Sequence, residues 1–217
     1  MTDANITIPY DYIVIEGVIG VGKTSLSNLL TGRLGGRLIL EDFESNPFIE
    51  DFYRSPRENA FKTQLFFLIS RFKKILELPP PDLFQSPLIV DYLFGKDRIF
   101  ATVTLDDDEL ELYNTVWKVL APKIRPPDLV VYLQASTDRL LERIRRRGRS
   151  YERKISFEYL EALNNAYNEF FFHYDEAPVF IVNTDDIDFV RSKSHLNDLA
   201  VKILEHRTGI TFYHPGG

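Results

Sequence analysis

Glu16-Gly17-Val18-Ile19-Gly20-Val21-Gly22-Lys23-Thr24 states a chemistry before anything is known of the fold. It follows the apolar run Tyr12-Ile13-Val14-Ile15, which reads as a buried strand, and it leads into residues 25–30, whose leucines have helical spacing. Strand, glycine loop and helix form the context that a phosphate-binding loop requires. Gly17 and Gly22 fill the two glycine positions of Gly-x-x-x-x-Gly-Lys-Ser/Thr. Lys23 can reach β- and γ-phosphate oxygens, and Thr24 offers a hydroxyl to Mg²⁺. The loop's N–H groups and the positive end of the helix then face the phosphates. Gly17, Gly20, Val21, Gly22, Lys23, Thr24 and Ser25 are therefore the candidate ATP-binding residues.

The rest of the chain is read around that loop. At 217 residues, 44% hydrophobic and 27% charged, it suits one domain, 1–217, with a full core. A net charge of −6 argues against a nucleic-acid polymer or an anionic membrane as partner, yet leaves room for a local cationic site. Without cysteine there is no disulfide, thiol nucleophile or thiolate metal site, and His173, His195, His206 and His214 make a poor zinc set. Residues 1–6 lack a basic segment followed by an apolar core, and no apolar run approaches the roughly 20 residues of a membrane span. A cytoplasmic location is expected.

Further apolar runs at 37–40, 87–91, 128–133 and 178–183 read as four more strands. Helical patterns at 58–78, about 110–120, 137 onward, 157–174 and 196–206 separate or follow them. This alternation predicts a P-loop NTPase-type three-layer α/β fold, with five parallel strands covered by helices on both faces. Residues 47–57 look irregular, and the long helix at 58–78 is expected to stop at Pro79-Pro80-Pro81. That helix carries apolar residues nearly all round, so it is either fully buried or packed on a second subunit. Asp106 to Glu109 reads as helix capping, and Thr137-Asp138 as the cap of the next helix. Asp91 ends its strand in the manner of a Walker B acid, which orients Mg²⁺ or caps the turn. Arg143, Arg145, Arg146, Arg147 and Arg149 crowd together in an acidic chain. Arg145 and Arg146 suit a solvated face, whereas Arg143, Arg147 and Arg149 suit a phosphate clamp.

Such a loop serves small-molecule kinases, hydrolytic switches and nucleotide-gated interaction modules. A GTP switch needs Asn-Lys-x-Asp, and Asn183-Thr184-Asp185 lacks the lysine. Arginines supplied by the same chain suit an enzyme that closes over two ligands and excludes water.

The loop together with Tyr53, Gln64 and Arg71, Tyr132-Leu133-Gln134-Ala135, Arg147-Gly148-Arg149 and Tyr159-Leu160 resembles the deoxynucleoside kinases, especially the bacterial deoxyadenosine/deoxyguanosine kinase branch, over roughly 12–183. The resemblance implies ATP- and Mg²⁺-dependent transfer of a γ-phosphoryl group to a deoxynucleoside 5′-hydroxyl, by a homodimer with a lid at about 143–154. It implies Glu41 as proton acceptor and, with Thr24 and Asp91, as a metal-site residue. Tyr53 and Glu152 would hold the sugar, Gln64, Arg71 and Asp97 would serve the base, and Arg143, Arg147 and Arg149 would close the lid. Glu41 also reads as a turn acid, Gln64 and Arg71 as surface residues, and Tyr53 as packing. The family's acid-Arg-Ser triplet is Asp91-Tyr92-Leu93 here, and Lys96 or Arg98 is the candidate replacement for the arginine. A nucleoside-monophosphate kinase of thymidylate-kinase type and a non-catalytic ATP-binding regulatory subunit are the alternatives.

Overall fold

The structure, a computed structural model, describes residues 8–78 and 86–214. Strand β1, Tyr12–Gly17, is buried at every position and runs down the middle of the sheet. Its continuous apolar character follows from helices covering both faces of a parallel sheet. Helix α1 is Lys23–Leu34; β2 is Arg37–Ile39, with a 3₁₀ turn after it at Phe43–Ser45. Helices α2, Ile49–Arg54, and α3, Pro56–Leu76, lead to β3, Leu88–Val90. Helices α4, Lys96–Thr104, and α5, Asp107–Leu120, precede β4, Leu129–Gln134. Helix α6, Thr137–Arg147, a 3₁₀ turn at Ser150–Lys154 and α7, Phe157–Phe172, follow. The described chain closes with β5, Val179–Asn183, α8, Lys193–Glu205, and β6, Ile210–Tyr213.

All pairings are parallel, in the order β2-β3-β1-β4-β5-β6. Because the chain turns to opposite sides of β1, the C-terminal ends of β1 and β3 form the crevice where open α/β sheets take ligands. The three-layer expectation holds, but six strands stand where five were expected. The sixth, β6, was hidden by its exposure: Ile210, Thr211 and Phe212 are solvent-facing, and the backbone ladder to β5 makes them a strand. Residues 47–57 are not irregular, since they contain α2, which buries Ile49 and Phe52 in a second apolar cluster with Ala60 and Phe67. Helix α4 was not anticipated. The Asp106–Glu109 capping box forms as read, but Ser136, not Thr137-Asp138, is the N-cap residue of α6. The expected stop at Pro79-Pro80-Pro81 lies outside the described residues. No helix among the described residues is long and apolar enough to cross a membrane.

Two glycines fix the loop's path. Gly17 has φ +151°, and a Cβ there would lie 2.4 Å from the Leu133 carbonyl oxygen of β4. Gly22, at φ 110°, is the left-handed N-cap from which α1 starts. Gly17→Ala is expected to lower unfolding free energy by about 2 kcal/mol or more, since backbone strain and overpacking coincide. An unchanged urea midpoint would show that the junction relaxes without cost.

Candidate active site

A cavity of about 900 Å³ opens at the C-terminal edge of the sheet, and the phosphate-binding loop forms one wall. Lys23 Nζ donates to the Gly17 carbonyl at 2.6 Å and to the Val18 carbonyl at 3.4 Å. Burial pushes the Lys23 pKa down, and Glu16, 3.9 Å away, opposes that shift. Thr24 Oγ1 donates to Asp91 Oδ2 at 2.7 Å, while Asp91 Oδ1 accepts the Glu41 N–H at 2.6 Å. Asp91 thus ties the loop helix to the segment that carries Glu41.

Glu41 follows β2 and is gripped by two cations. Arg71 on α3 donates through Nε at 2.7 Å and also through Nη2 to Glu41 Oε1, and Lys96 Nζ meets Oε2 at 2.5 Å. Burial alone would raise the Glu41 pKa, but Arg71 and then Lys96 outweigh it and hold the carboxyl well below the usual carboxylate range. Arg71 Nη1 also bonds Asp97, which is fully buried behind it and does not line the cavity. The Arg71–Asp97 pairing is therefore as expected, but Asp97 stands behind the wall. Lys96, at the first position of α4, is 3% exposed and is the one of the two candidate replacement cations that reaches Glu41. Arg98 points elsewhere, with its guanidinium 5.9 Å from the Trp117 ring centroid.

Gln64 and Arg71, seven residues apart, both lie on the buried side of α3 and line the cavity. Gln64 Nε2 donates to Thr104 Oγ1 at 3.3 Å, and that hydroxyl donates in turn to the Phe100 carbonyl at 2.7 Å. Thr104 can therefore only accept from Gln64, which leaves Gln64 Oε1, buried and without a partner, as the free acceptor of the amide. Thr63 Oγ1 and the Tyr159 hydroxyl are also buried and unpartnered. Phe52, Tyr53 and Tyr159 form an aromatic wall, with Tyr53 stacked on Tyr151 at 5.9 Å. Burial holds the Tyr53 hydroxyl pKa well above its usual value, so it is a neutral donor.

The three arginines expected to close a lid already have partners. Arg143 donates to the Val21 carbonyl at 3.1 Å and to Thr184 Oγ1 at 2.9 Å, fastening α6 to the loop. Arg147 grips Glu152, which is 3% exposed, through Nη2 at 2.5 and 2.6 Å and Nε at 3.1 Å. Arg149 lies 3.4 Å from Glu44 and 3.7 Å from Glu152, with Phe43 beneath its guanidinium. Arg146 is exposed as expected yet lines the cavity, as does Arg139, and neither is among the expected site residues. Residues 185–191 form a further wall that no motif marked; Phe189 comes within 3.3 Å of where a Gly22 Cβ would lie.

Comparisons with known proteins bear on the whole chain and its fold. A family model described as deoxynucleoside kinase matches residues 13–207. The chain is 36% identical to a deoxyguanosine kinase of Bacillus subtilis (strain 168), over 89% of this chain and 96% of that one. It is 34% identical to a deoxyadenosine kinase of Dictyostelium discoideum, over 73% and 66% of the two chains. A solved structure of deoxyadenosine kinase from M. mycoides, with dCMP and a flexible dCDP bound as products, superposes with a TM-score of 0.78 at 30% identity, covering 89% of this chain and 98% of that one.

The paired cations make a test available at Glu41 itself. In Lys96→Met, loss of one cation is expected to raise the Glu41 midpoint by about one pH unit or more, the scale for an opposite charge in contact. Carboxyl ¹³C NMR titration reads it directly, and an unmoved midpoint would show that Arg71 alone sets the charge.

Proposed function

The chain belongs to the deoxynucleoside kinase family, whose members are ATP-dependent phosphotransferases, and from that premise we propose how this cavity divides the reaction. The donor half is the loop: the N–H groups of Gly20, Val21, Gly22, Thr24 and Ser25 and the Lys23 ammonium hold the ATP phosphates. The acceptor half is the pocket of Tyr53, Gln64, Phe67 and Tyr159, which takes a deoxynucleoside with its 5′-hydroxyl toward Glu41. The observation that carries this reading is Glu41, a carboxylate at the junction of the two halves, ringed by Arg71 and Lys96. Purine deoxynucleosides are the proposed preferred acceptors. That preference is supported by the relatives named deoxyguanosine and deoxyadenosine kinase, and the free Gln64 acceptor suits an N–H on a base edge, which adenine, guanine and cytosine all present.

Glu41 accepts a hydrogen bond from the 5′-hydroxyl and takes its proton as the 5′-oxygen bonds to the γ-phosphorus and the bond from that phosphorus to the β,γ-bridging oxygen breaks, releasing ADP. A carboxylate with so low a proton affinity is a weak base. A loose phosphoryl-transfer transition state nevertheless asks mainly for position and charge, and the proton can move late. Since the Glu41 pKa lies below its ordinary value, the ionised, competent form persists as pH falls. No activity limb from Glu41 is expected between about pH 5 and 8.

Mg²⁺ is the proposed cofactor. Thr24 Oγ1 and the Asp91 carboxylate, 2.7 Å apart, with Glu41 in the adjoining segment, offer oxygen ligands of the hard kind that Mg²⁺ takes alongside substrate phosphates. No cluster of three or more acidic, His or Cys ligands exists among the described residues, which fits a metal carried largely by the nucleotide. When bound, the ion would supply charge neutralisation between the β- and γ-phosphates. The segment 143–154 is the proposed lid. Arg147 and Arg149 would exchange Glu44 and Glu152 for phosphate oxygens as it closes, and Glu152 and Tyr53 would receive the sugar 3′-hydroxyl. Arg143 is the strut on which the lid turns.

A homodimer is proposed through α3 and α5, which pack together and leave Ile69, Leu76, Leu112 and Val119 between 40% and 60% exposed. The proposed setting is the cytoplasm.

A panel of deoxynucleosides and their monophosphates with ATP and Mg²⁺ tests the reaction. Phosphorylation of deoxyadenosine or deoxyguanosine is expected, and no turnover with any deoxynucleoside would sink it. Glu41→Gln is expected to lower kcat by about 10²-fold, the scale of a lost proton acceptor. Ile69→Glu is expected to convert a dimer to a monomer in light scattering; an unchanged mass would place the interface elsewhere.

A further inference from the structure

Glu16, the penultimate residue of β1, is completely buried, and no step above uses it. Three donors from three separate segments converge on its carboxylate. Gly17 N–H, the first residue of the phosphate loop, donates to Oε1 at 2.8 Å, and the Tyr167 hydroxyl from α7 donates to the same oxygen at 3.2 Å. Leu93 N–H donates to Oε2 at 2.6 Å. Leu93 follows Asp91 by two residues, and its own carbonyl accepts the Lys96 N–H at 3.1 Å. The first turn of α4, with the lysine that grips Glu41, thus hangs from the residue that Glu16 holds. On its other side the same carboxylate lies 3.9 Å from Lys23 Nζ.

We propose that Glu16 is a positioning residue that holds the donor loop and the Lys96-bearing turn in one register, so that phosphoryl donor and 5′-hydroxyl meet in line. The inference rests on the kinase reading given above. Its chemistry is specific to a carboxylate, because an unprotonated carboxylate is acceptor-only and offers both oxygens to N–H groups. A glutamine of the same shape would turn an NH₂ toward either Gly17 N–H or Leu93 N–H, leaving two donors face to face. The donor half and the acceptor half would then separate. In-line transfer needs reacting atoms about 3–3.5 Å apart, and a displacement of about 1 Å costs up to about 10²-fold in rate. The effect belongs on kcat, since each half keeps its own ligand contacts.

The experiment compares Glu16→Gln with the unsubstituted chain by steady-state kinetics on ATP, Mg²⁺ and a deoxynucleoside, by calorimetric ATP binding and by thermal melting. A folded Glu16→Gln is expected to bind ATP within about threefold of the parent while kcat falls by about 10²-fold. A folded variant with kcat within about threefold of the parent, or one whose loss appears in ATP affinity with kcat retained, overturns the proposal. If Glu16→Gln does not fold, Tyr167→Phe carries the test, because it removes one of the three donors and keeps the charge. Its kcat is expected to fall about three- to tenfold with an unchanged ATP affinity, the scale of one hydrogen bond, and an unchanged kcat overturns the proposal. Turnover by the parent with an unaffected variant defeats this inference alone, whereas no turnover by the parent defeats the kinase reading with it.

Discussion

Two carboxylates and two cations lie together in and just behind the wall of the cavity, and their charges cancel: Glu41 and Asp97 against Arg71 and Lys96. Each charge brought into the interior costs several kcal/mol of lost hydration, so none is tolerable without the others. The four residues come from the end of β2, from α3 and from the first turn of α4, which makes this balance a constraint on how those elements are arranged. It also leaves these four residues neutral as a group. In the proposed reaction the charge of a triphosphate would fall to Lys23 and to the arginines along the rim.

The parts of the fold that were readable in the sequence are those whose side chains share one environment. Strand β1 and its two neighbours, β3 and β4, are buried on both faces, so their apolar runs announce them. Helix α2 has only six residues and exists because Ile49 and Phe52 find a pocket against α3, a tertiary fact with no local signature. Strand β6 has the reverse problem, since its membership depends on a backbone ladder while its side chains face solvent. At the site, the loop residues could be assigned from spacing alone. The choice of Lys96 over Arg98 as the partner of Glu41 could not, because it depends on how the turn through Leu93 and Gly95 aims the first residue of α4.

The arginine cluster shows a different limit. So many like charges call for counter-charges, and an outside phosphate is the simplest candidate from sequence. In the folded chain Glu44 and Glu152 take that place for Arg147 and Arg149, and the carbonyls of Val21 and Thr184 take it for Arg143. Sequence reveals how much charge is present, whereas the pairing depends on carboxylates that only the fold brings close.

The position of Lys23 has a consequence for how the site fills. Its ammonium is bonded to the carbonyls of Gly17 and Val18, so the loop is already closed on itself through its own lysine. A triphosphate entering the loop as proposed would compete with those carbonyls for the ammonium, in a loop whose backbone the lysine already holds together. Such binding would include an exchange of partners at one nitrogen, with less of its free energy spent on organising backbone.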